Sequence, residues 1–485
     1  MTDDACYELM VARDPRFDGV FFVGVQTTGI YCRPICPART PRRSRCAFFP
    51  TPVQAEAAGF RACFRCRPEL APGNAPVDKV DTLVTTATQR ITEGALNDGS
   101  IDDLAAELGV TARHLRRATE TRLGVSPVEL AQSRRLALAK QLLQDTALPV
   151  TTIAFAAGFG SVRRFNAMFA AKMGIAPSEL RRKAPSTGPA TGAITLRLDY
   201  RPPYDWSRLL EFLRGRAIPG VELVADGTYR RIVALGEHVG EIAVRPATTV
   251  GRARDRSALE LALAPTLLPV VMPLVARVRR MFDLDARPDL IGRALARDKK
   301  LAPMIAARPG LRLPGAIDPF ESAIRAMLGQ QVSVAAATTL AGRFAAQLGT
   351  RLAAGDTLAF RFPTPAEVVT AGAERIVKIG MPMARAIAIH TLATAIATQR
   401  VKLDASELEP FVAALVQLPG IGPWTAHYLA MRALHLPDAF PASDLGIQKA
   451  LSRPSPKQAE ARAEAWRPYR SYAVMHLWTS LGEPA

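Results

Sequence analysis

The sequence predicts a multidomain chain, mainly α with α+β parts, and three observations carry that expectation. All six cysteines fall within the first 66 residues, which marks a small cysteine module. A grammar of capped helices recurs at an offset of fifty residues between 100 and 183, which marks two related helical units in tandem. Beyond a Pro/Gly/Ser/Thr-rich stretch at 184–192, apolar alternation gives way to helical periodicity, which marks a small β-sheet subdomain followed by a helical domain. The expected boundaries are 1–74, 75–183, a linker at 184–192, 193–300 and 301–485.

Length and composition bound the rest. With 485 residues, 48% of them hydrophobic, the chain has material for several cores and is not a disordered protein. Its net charge of +18 favours a polyanionic partner without separating DNA from RNA or acidic lipid. Residues 1–10 carry acids and no apolar leader core, and the most apolar run, 267–278, is broken by Pro269 and Pro273. Neither a signal peptide nor a membrane span is expected.

Cys32-x3-Cys36 and Cys63-x2-Cys66 have the spacing of a tetrahedral four-thiolate zinc site, leaving Cys6 and Cys46 as free thiols. Spacing alone fits a purely structural knuckle equally well. The surrounding residues, Gln26-Thr-Thr-Gly-Ile-Tyr-Cys-Arg-Pro-Ile-Cys36 and Ala57-Ala-Gly-Phe-Arg-Ala-Cys-Phe-Arg-Cys-Arg-Pro68, resemble the N-terminal domain of the Ada adaptive-response proteins. That resemblance implies that Cys32 accepts a methyl group from a DNA methylphosphotriester while Cys36, Cys63 and Cys66 keep the zinc. A metal-held thiolate is a competent nucleophile for that transfer. Four thiolates on Zn²⁺ sum to −2 and S-methylation leaves −1, so repulsion from DNA falls. Arg33, Arg39, Arg42, Arg43 and Arg45 flank the first pair with no acid between Tyr31 and Arg45, and they are the expected phosphate contacts once that happens.

A Pro/Gly break at 70–78 opens the next domain. Ser100 caps a short helix that ends at Gly109, and Thr111 caps a second one through Arg113, His114, Leu115, Arg116 and Arg117. A similar pair occupies 152–169, and Leu123-Gly-Val-Ser-Pro-Val-Glu-Leu130 is echoed by Met173-Gly-Ile-Ala-Pro-Ser-Glu-Leu180. Over about 80–183 the tandem resembles the AraC-type helix-turn-helix domain. The resemblance implies that both second helices enter the major groove, with Arg113, His114, Arg116 and Arg117 facing it in one unit and Ser161, Arg163, Arg164 and Asn166 in the other. Helical spacing places Phe155, Phe165 and Phe169 in the core.

After the linker, alternation at Ile194, Leu196 and Leu198 and again at Ile232, Val233 and Leu235 predicts strands, with a short helix around 209–213. Further on, Gly420 and Gly422 in Leu418-Pro-Gly-Ile-Gly-Pro-Trp-Thr-Ala426 lie between an apolar helical segment and a second helix. Such glycines let backbone N–H groups approach a phosphate at the positive end of the following helix. An ordinary αα-corner would show the same Leu-Pro-Gly-x-Gly. Joined to Asp444, twenty residues after Trp424, the stretch resembles the helix-hairpin-helix DNA glycosylases of the AlkA type. Arg201-Pro-Pro-Tyr-Asp-Trp206, Arg308-Pro-Gly-Leu-Arg-Leu-Pro-Gly315, Arg325-Ala-Met-Leu-Gly-Gln-Gln-Val-Ser-Val334 and Arg470-Ser-Tyr-Ala-Val-Met-His-Leu-Trp478 extend that resemblance over about 193–482.

The resemblance implies an AlkA-like β-sheet subdomain and a helical glycosylase domain. Asp444 becomes the anion that stabilises an oxocarbenium-like sugar, against the simpler reading of a helix N-cap. Trp424, Tyr428 and Trp478, with Tyr204 or Trp206, line the base pocket, whereas Trp466 and Tyr472 read as core. Trp424 stands where lyase relatives carry a Schiff-base lysine, so a monofunctional enzyme is expected. No cysteine follows Cys66, so no iron–sulfur cluster is expected. Backbone carbonyls of Val416, Leu418 and Ile421 are candidates for a monovalent cation. Two positions depart from the pattern: Gln331 replaces an apolar wedge and Leu445 an aromatic.

The expectation is therefore one polypeptide that accepts methyl groups, activates transcription and excises alkylated bases. Its alternative is a methylation-sensing regulator whose glycosylase half only binds DNA. Alkylated and promoter duplex DNA, RNA polymerase, one zinc ion, a monomeric state and a nucleoid-associated location in the bacterial cytoplasm complete the expected set.

Overall fold

Strand pairing at the start of the chain follows from its β-branched and aromatic runs. In the computed structural model, which describes residues 1–73, 82–183, 194–247, 257–352, 357–404 and 407–482, strands β1 (Phe22–Val25), β2 (Ile30–Cys32), β3 (Cys46–Phe49) and β4 (Arg61–Ala62) form one sheet in the order β3-β1-β2-β4. β1 runs antiparallel to β2 in a register that pairs Val23 with Cys32, and β4 runs parallel to β2. The parallel pairing brings the two cysteine pairs together, because Cys63 donates its N–H to the Tyr31 carbonyl at 3.0 Å just past β4. Cys6 and Cys46 lie instead in an apolar cluster with Met10, Phe21 and Val23.

The predicted caps form in both helical units. Ser100 and Asp103 close a capping box at helix Ile101–Glu107, Thr111 caps Ala112–Leu123, and Gly124 ends that helix in the left-handed region. In the second unit Ser161 caps Val162–Met173 and Gly174 ends it in the same way. Residues 111–120 and 161–170 show one and the same order of buried and exposed positions, with Leu115 and Thr119 matched by Phe165 and Phe169. Phe155 departs from expectation: it is 58% exposed, because helix Val150–Ala156 turns Ile153, Ala154 and Ala156 inward and Phe155 falls on its outer face.

Helix Pro127–Asp145 is the spine between the two units, and a buried polar seam binds it to the cysteine module. Lys140, fully buried, donates to the Cys63 carbonyl at 2.8 Å and to Glu69 at 2.6 Å. Arg67 in turn pairs with Glu69 and with Asp145. Arg33 lies buried between Asp18 and Asp199, at 2.7 Å from the latter, and its backbone N–H points at the Cys66 sulfur at 3.4 Å. This corrects its expected role: a guanidinium enclosed by two carboxylates is a core cation and does not reach DNA phosphate. Asp199 ends β5 (Ile194–Asp199), which pairs antiparallel with β9 (Ala258–Leu263). The expected linker and the expected boundary near 74 lie outside the described residues.

The chain groups into two compact units, and 1–202 with 247–276 and 284–286 form the first. In the second, β6 (Glu222–Ala225), β7 (Thr228–Leu235) and β8 (His238–Pro246) form an antiparallel meander, with helix Trp206–Arg214 beside it. Glu222, Arg231, Glu321 and Arg325 make a buried ion-pair cluster that ties this meander to helix Pro319–Leu328. The remainder is helical, and Trp466 and Tyr472 are core as expected, at 1% and 3% exposure. Among the described residues no helix is long and apolar enough to cross a membrane.

Removing one partner of a buried ion pair costs about 3–5 kcal/mol. Arg33→Ala, which strands the Asp18 and Asp199 carboxylates, is expected to lose stability of that order in denaturant unfolding. Burial pushes the Asp199 carboxyl up, but Arg33 and Arg197 pull it further down, so it titrates below the ordinary aspartate range. Its contribution is complete above the unfolded value of about 3.9 and fades as pH falls through the lower folded value. Without Arg33 the burial that pushes Asp199 up is less opposed. The stability difference between wild type and Arg33→Ala is therefore expected to begin narrowing at or above about pH 4 and to go on narrowing as pH falls through the lower folded range of the wild type.

Candidate active site and metal centre

Cys32 ends β2, Cys36 follows a turn closed by its own N–H to the Arg33 carbonyl, and Cys63 and Cys66 follow β4. Their four sulfurs lie within 4.8 Å of one another. Zn–S bonds of about 2.3 Å in a tetrahedron put sulfurs about 3.8 Å apart, so the set fits one Zn²⁺. The thiols share protons among themselves: hydrogen bonding from Cys32 brings Cys36 down to about 7 and holds Cys63 lower still. Cys63 and Cys66 are buried, whereas Cys32 and Cys36 are partly exposed. Of the flanking arginines, Arg39, Arg42 and Arg45 are exposed, while Arg43 is engaged by Asp4 at 2.9 Å and by Asp3.

Arg113, His114, Arg116 and Arg117 are all exposed on helix Ala112–Leu123, and Arg163, Arg164 and Asn166 are exposed on Val162–Met173. Ser161 is also exposed, but its hydroxyl oxygen accepts the Arg164 N–H as the helix cap. One solvent face of each second helix thus carries the residues that the sequence singled out.

In the second unit, helix Leu408–Leu415 and helix Pro423–Arg432 are joined by the glycine turn. Gly420 has φ +77° and packs so tightly that a Cβ would stand 2.7 Å from that of Ala388. Gly422 has an ordinary φ of −89°, caps the second helix without a side chain, and would give a Cβ open space. The fold demands glycine at 420 and does not demand it at 422.

Three elements converge on Asp444. Its Oδ1 accepts the Ile447 N–H at 3.0 Å as cap of helix Leu445–Ala450, and the Trp478 indole N–H at 2.8 Å. Its Oδ2 accepts the Trp424 indole N–H at 3.0 Å. Asp444 is thus the N-cap that the simpler reading expected, and the same carboxylate also holds two indole N–H groups. Trp424 stacks on Tyr428 with ring centroids 5.2 Å apart, and Tyr428 meets Trp478 at 6.4 Å. Burial raises the Tyr428 hydroxyl, but Arg432, Arg216 and Arg325 outweigh it and leave it below the ordinary tyrosine range.

Tyr204 and Trp206 take part in a second aromatic group. Tyr204 donates to the Phe282 carbonyl, Trp206 donates to that of Gly227, and the Trp206 ring meets both the Tyr204 ring and the Phe282 ring. Gln331 is exposed in the turn 329–333 with φ +58°. Leu445 is 73% exposed directly after Asp444. Sequence reasoning missed Gly446, where a Cβ would stand 2.9 Å from Trp478 and 3.1 Å from Asp444 Oδ1. It also missed Gln330, whose only sequence signal is being the first of two glutamines in an apolar run.

A four-cysteine knuckle, paired helix-turn-helix units and a glycine hairpin whose second helix holds the Asp444 carboxylate through Trp424 define a DNA-directed protein of the helix-hairpin-helix class. Comparison with known families agrees along the chain. Residues 5–69 match the metal binding domain of Ada, 104–183 a helix-turn-helix domain, 195–318 the AlkA N-terminal domain, and 324–468 the HhH-GPD superfamily base excision DNA repair protein. A probable bifunctional transcriptional activator/DNA repair enzyme AlkA from Mycobacterium tuberculosis is 38% identical over 100% of this chain and 98% of its own. DNA-3-methyladenine glycosylase 2 of Escherichia coli is 39% identical over 59% of this chain and 97% of its own. A 3-methyladenine DNA-glycosylase from Archaeoglobus fulgidus shares the fold, with a TM-score of 0.51 at 21% identity over 58% of this chain and 97% of that one. The chain belongs to the Ada–AlkA fusion family of bifunctional transcriptional activator/DNA repair enzymes.

Elemental analysis of the full chain is expected to give one zinc per molecule, falling below about a tenth in Cys66→Ser, whereas Cys6→Ser and Cys46→Ser keep full occupancy.

Proposed function

We propose that this protein answers DNA alkylation in three ways: Cys32 takes methyl groups from DNA methylphosphotriesters, the methylated protein activates transcription, and the C-terminal half removes alkylated bases of the 3-methyladenine type by hydrolysis. The observation that carries the glycosylase reading is the Asp444 carboxylate, held by two indole N–H groups beside stacked aromatic rings. A flipped base would stack on Trp424, Tyr428 and Trp478, whose faces suit a cationic purine. As the N-glycosidic bond breaks, its electron pair leaves with the base, and positive charge grows on the sugar beside Asp444. Water then adds at C1′ and gives its proton to the carboxylate or to solvent. A carboxylate offers about four lone-pair sites, of which three are taken by N–H donors, so one remains for that water. With Trp424 in the hairpin helix rather than a lysine, no Schiff base forms there.

Gly420 and Gly422 present backbone N–H groups to a phosphate, and Gln331 fills the gap left by the flipped base. The open space at Gly422 supports that role, since only something outside the protein would oppose a side chain there. Carbonyls of Val416, Leu418 and Ile421 are proposed to hold a monovalent cation at the hairpin.

In the first unit Cys32 is the acceptor, a reading supported by its partial exposure while Cys63 and Cys66 are buried. Bound zinc keeps the knuckle's sulfurs as thiolates at neutral pH. The Cys32 sulfur attacks the methyl carbon, the methyl C–O bond breaks, and its electrons stay on the phosphate, which becomes an ordinary diester anion. The knuckle then carries one negative charge less, and Arg39, Arg42 and Arg45 gain on DNA. The two second helices read promoter DNA through Arg113, His114, Arg116, Arg117, Arg163, Arg164 and Asn166. The protein acts as a monomer in the cytoplasm near the nucleoid and engages RNA polymerase. Division into 1–74, 75–183, 193–300 and 301–485 completes this reading.

Release of 3-methyladenine and 7-methylguanine from alkylated duplex DNA is expected from the wild type and is expected to fall at least about a hundredfold in Asp444→Asn. Release undiminished in the variant refutes the role of Asp444. No release from the wild type favours a regulator whose second half only binds DNA. Incubation with methylphosphotriester DNA is expected to add one methyl mass at Cys32, and none in Cys32→Ser.

A further inference from the structure

Gln331 stands in the left-handed region with φ +58°, in an exposed turn where Val332 and Val334 are also about two-fifths exposed. A residue other than glycine is strained there and persists only when its surroundings fix it. The turn has helix Pro319–Leu328 before it and Ser333, the cap of helix Val334–Leu348, after it. Those helices set where the turn begins and ends. Helix Pro319–Leu328 already packs against helix Pro423–Arg432, with Met327 Cε 3.9 Å from where a Gly420 Cβ would stand, but the turn itself lies beyond the end of that helix, some ninety residues from the hairpin in sequence.

One side chain ties the turn itself to the hairpin. The Gln330 amide donates to the Gly420 carbonyl at 2.9 Å and to the Thr425 hydroxyl at 3.1 Å. Both acceptors are rigidly held. Gly420 is itself left-handed against Ala388, and Thr425 is 2% exposed in the first turn of helix Pro423–Arg432. A single amide therefore couples the turn that carries Gln331 to the turn that grips the backbone.

We infer that Gln330 is a positioning residue that sets the register between the gripped phosphate and the wedge, so that Gln331 enters the duplex at the lesion. This rests on the reading of Gln331 as wedge and of the hairpin as phosphate grip. Fixed register matters only when a stacked base must be expelled and its partner left behind. A lesion opposite an abasic site resists flipping less and leaves no orphan base, so it needs the wedge less.

The test is single-turnover excision by the full chain from two duplexes, one with the alkylated base opposite its normal partner and one with it opposite an abasic site. In Gln330→Ala, and in Gln330→Glu, whose carboxylate cannot donate to the Gly420 carbonyl, the ratio of the abasic-opposed rate to the paired rate is expected to rise about tenfold over wild type. Gln331→Ala is expected to raise it comparably. An unchanged ratio in both Gln330 variants, or equal losses on both duplexes, overturns the inference. If Gln331→Ala raises the ratio while the Gln330 variants do not, the wedge reading stands and the coupling falls. If Gln331→Ala leaves the ratio unchanged, the wedge reading fails and the coupling fails with it.

Discussion

The second unit depends on one carboxylate with three donors. Asp444 takes an N–H from its own helix, an indole from the hairpin helix and an indole from helix Arg470–Ser480, and each comes from a different element. An indole N–H is a single donor on a rigid ring, so two of them fix the carboxylate in rotation as well as in place. The geometry also dictates composition at a distance. Trp478 reaches Oδ1 only because Gly446 has no Cβ, and Trp424 reaches Oδ2 only because the hairpin starts its helix with Trp at the second position. Glycine at 446 is thus a packing requirement of the Asp444–Trp478 hydrogen bond.

In the first unit the corresponding constraint is a buried polar seam. The Cys63 carbonyl takes the Lys140 ammonium, and Arg33 reaches both the Cys66 carbonyl, at 3.4 Å, and its sulfur, through the backbone N–H. Two of the four zinc ligands are therefore built into the same polar core as the helix-turn-helix spine and the end of β5. Buried ion pairs rarely add net stability, because desolvation offsets their attraction, but a broken one is expensive. What such a seam supplies is a single arrangement. Any shift of Cys63 or Cys66 must carry Lys140, Glu69 and Arg67 with it or leave a charge stranded.

The legible parts of the sequence were those whose physics is local. Caps at Ser100, Thr111 and Ser161, left-handed glycines at 124 and 174, and the alternation of Ile194, Leu196 and Leu198 each follow from a few neighbouring residues. The four cysteines and the Trp424–Asp444 pair were legible because their motifs are specific. Contacts that need tertiary proximity were not. Nothing local says that Gln330 meets Gly420, that Gly446 makes room for Trp478, or that the Trp206 ring meets Phe282. Phe155 misled for a related reason. Its spacing to Phe165 spans two helices, and periodicity carries no phase across the turn between them.

Charge shows the same limit most clearly. A surplus of +18 names a polyanion, but it does not locate the cations that would meet one. Arg33, Arg201, Arg231 and Arg312 are each no more than 3% exposed and serve as internal donors to carboxylates or carbonyls. A planar guanidinium with five donors suits that task, since it can satisfy several carbonyls at once where an ammonium is a point charge. Among the described residues, the arginines that local structure turns outward include Arg39, Arg42 and Arg45 near the knuckle and those on the solvent faces of two matched helices. Arg33 and Arg39 are six residues apart in one basic run, yet one is core and the other surface. What separates them is the presence of Asp18 and Asp199, neither of which is near in sequence. Counterion release, and with it the salt dependence of DNA binding, therefore follows the exposed arginines and not the count.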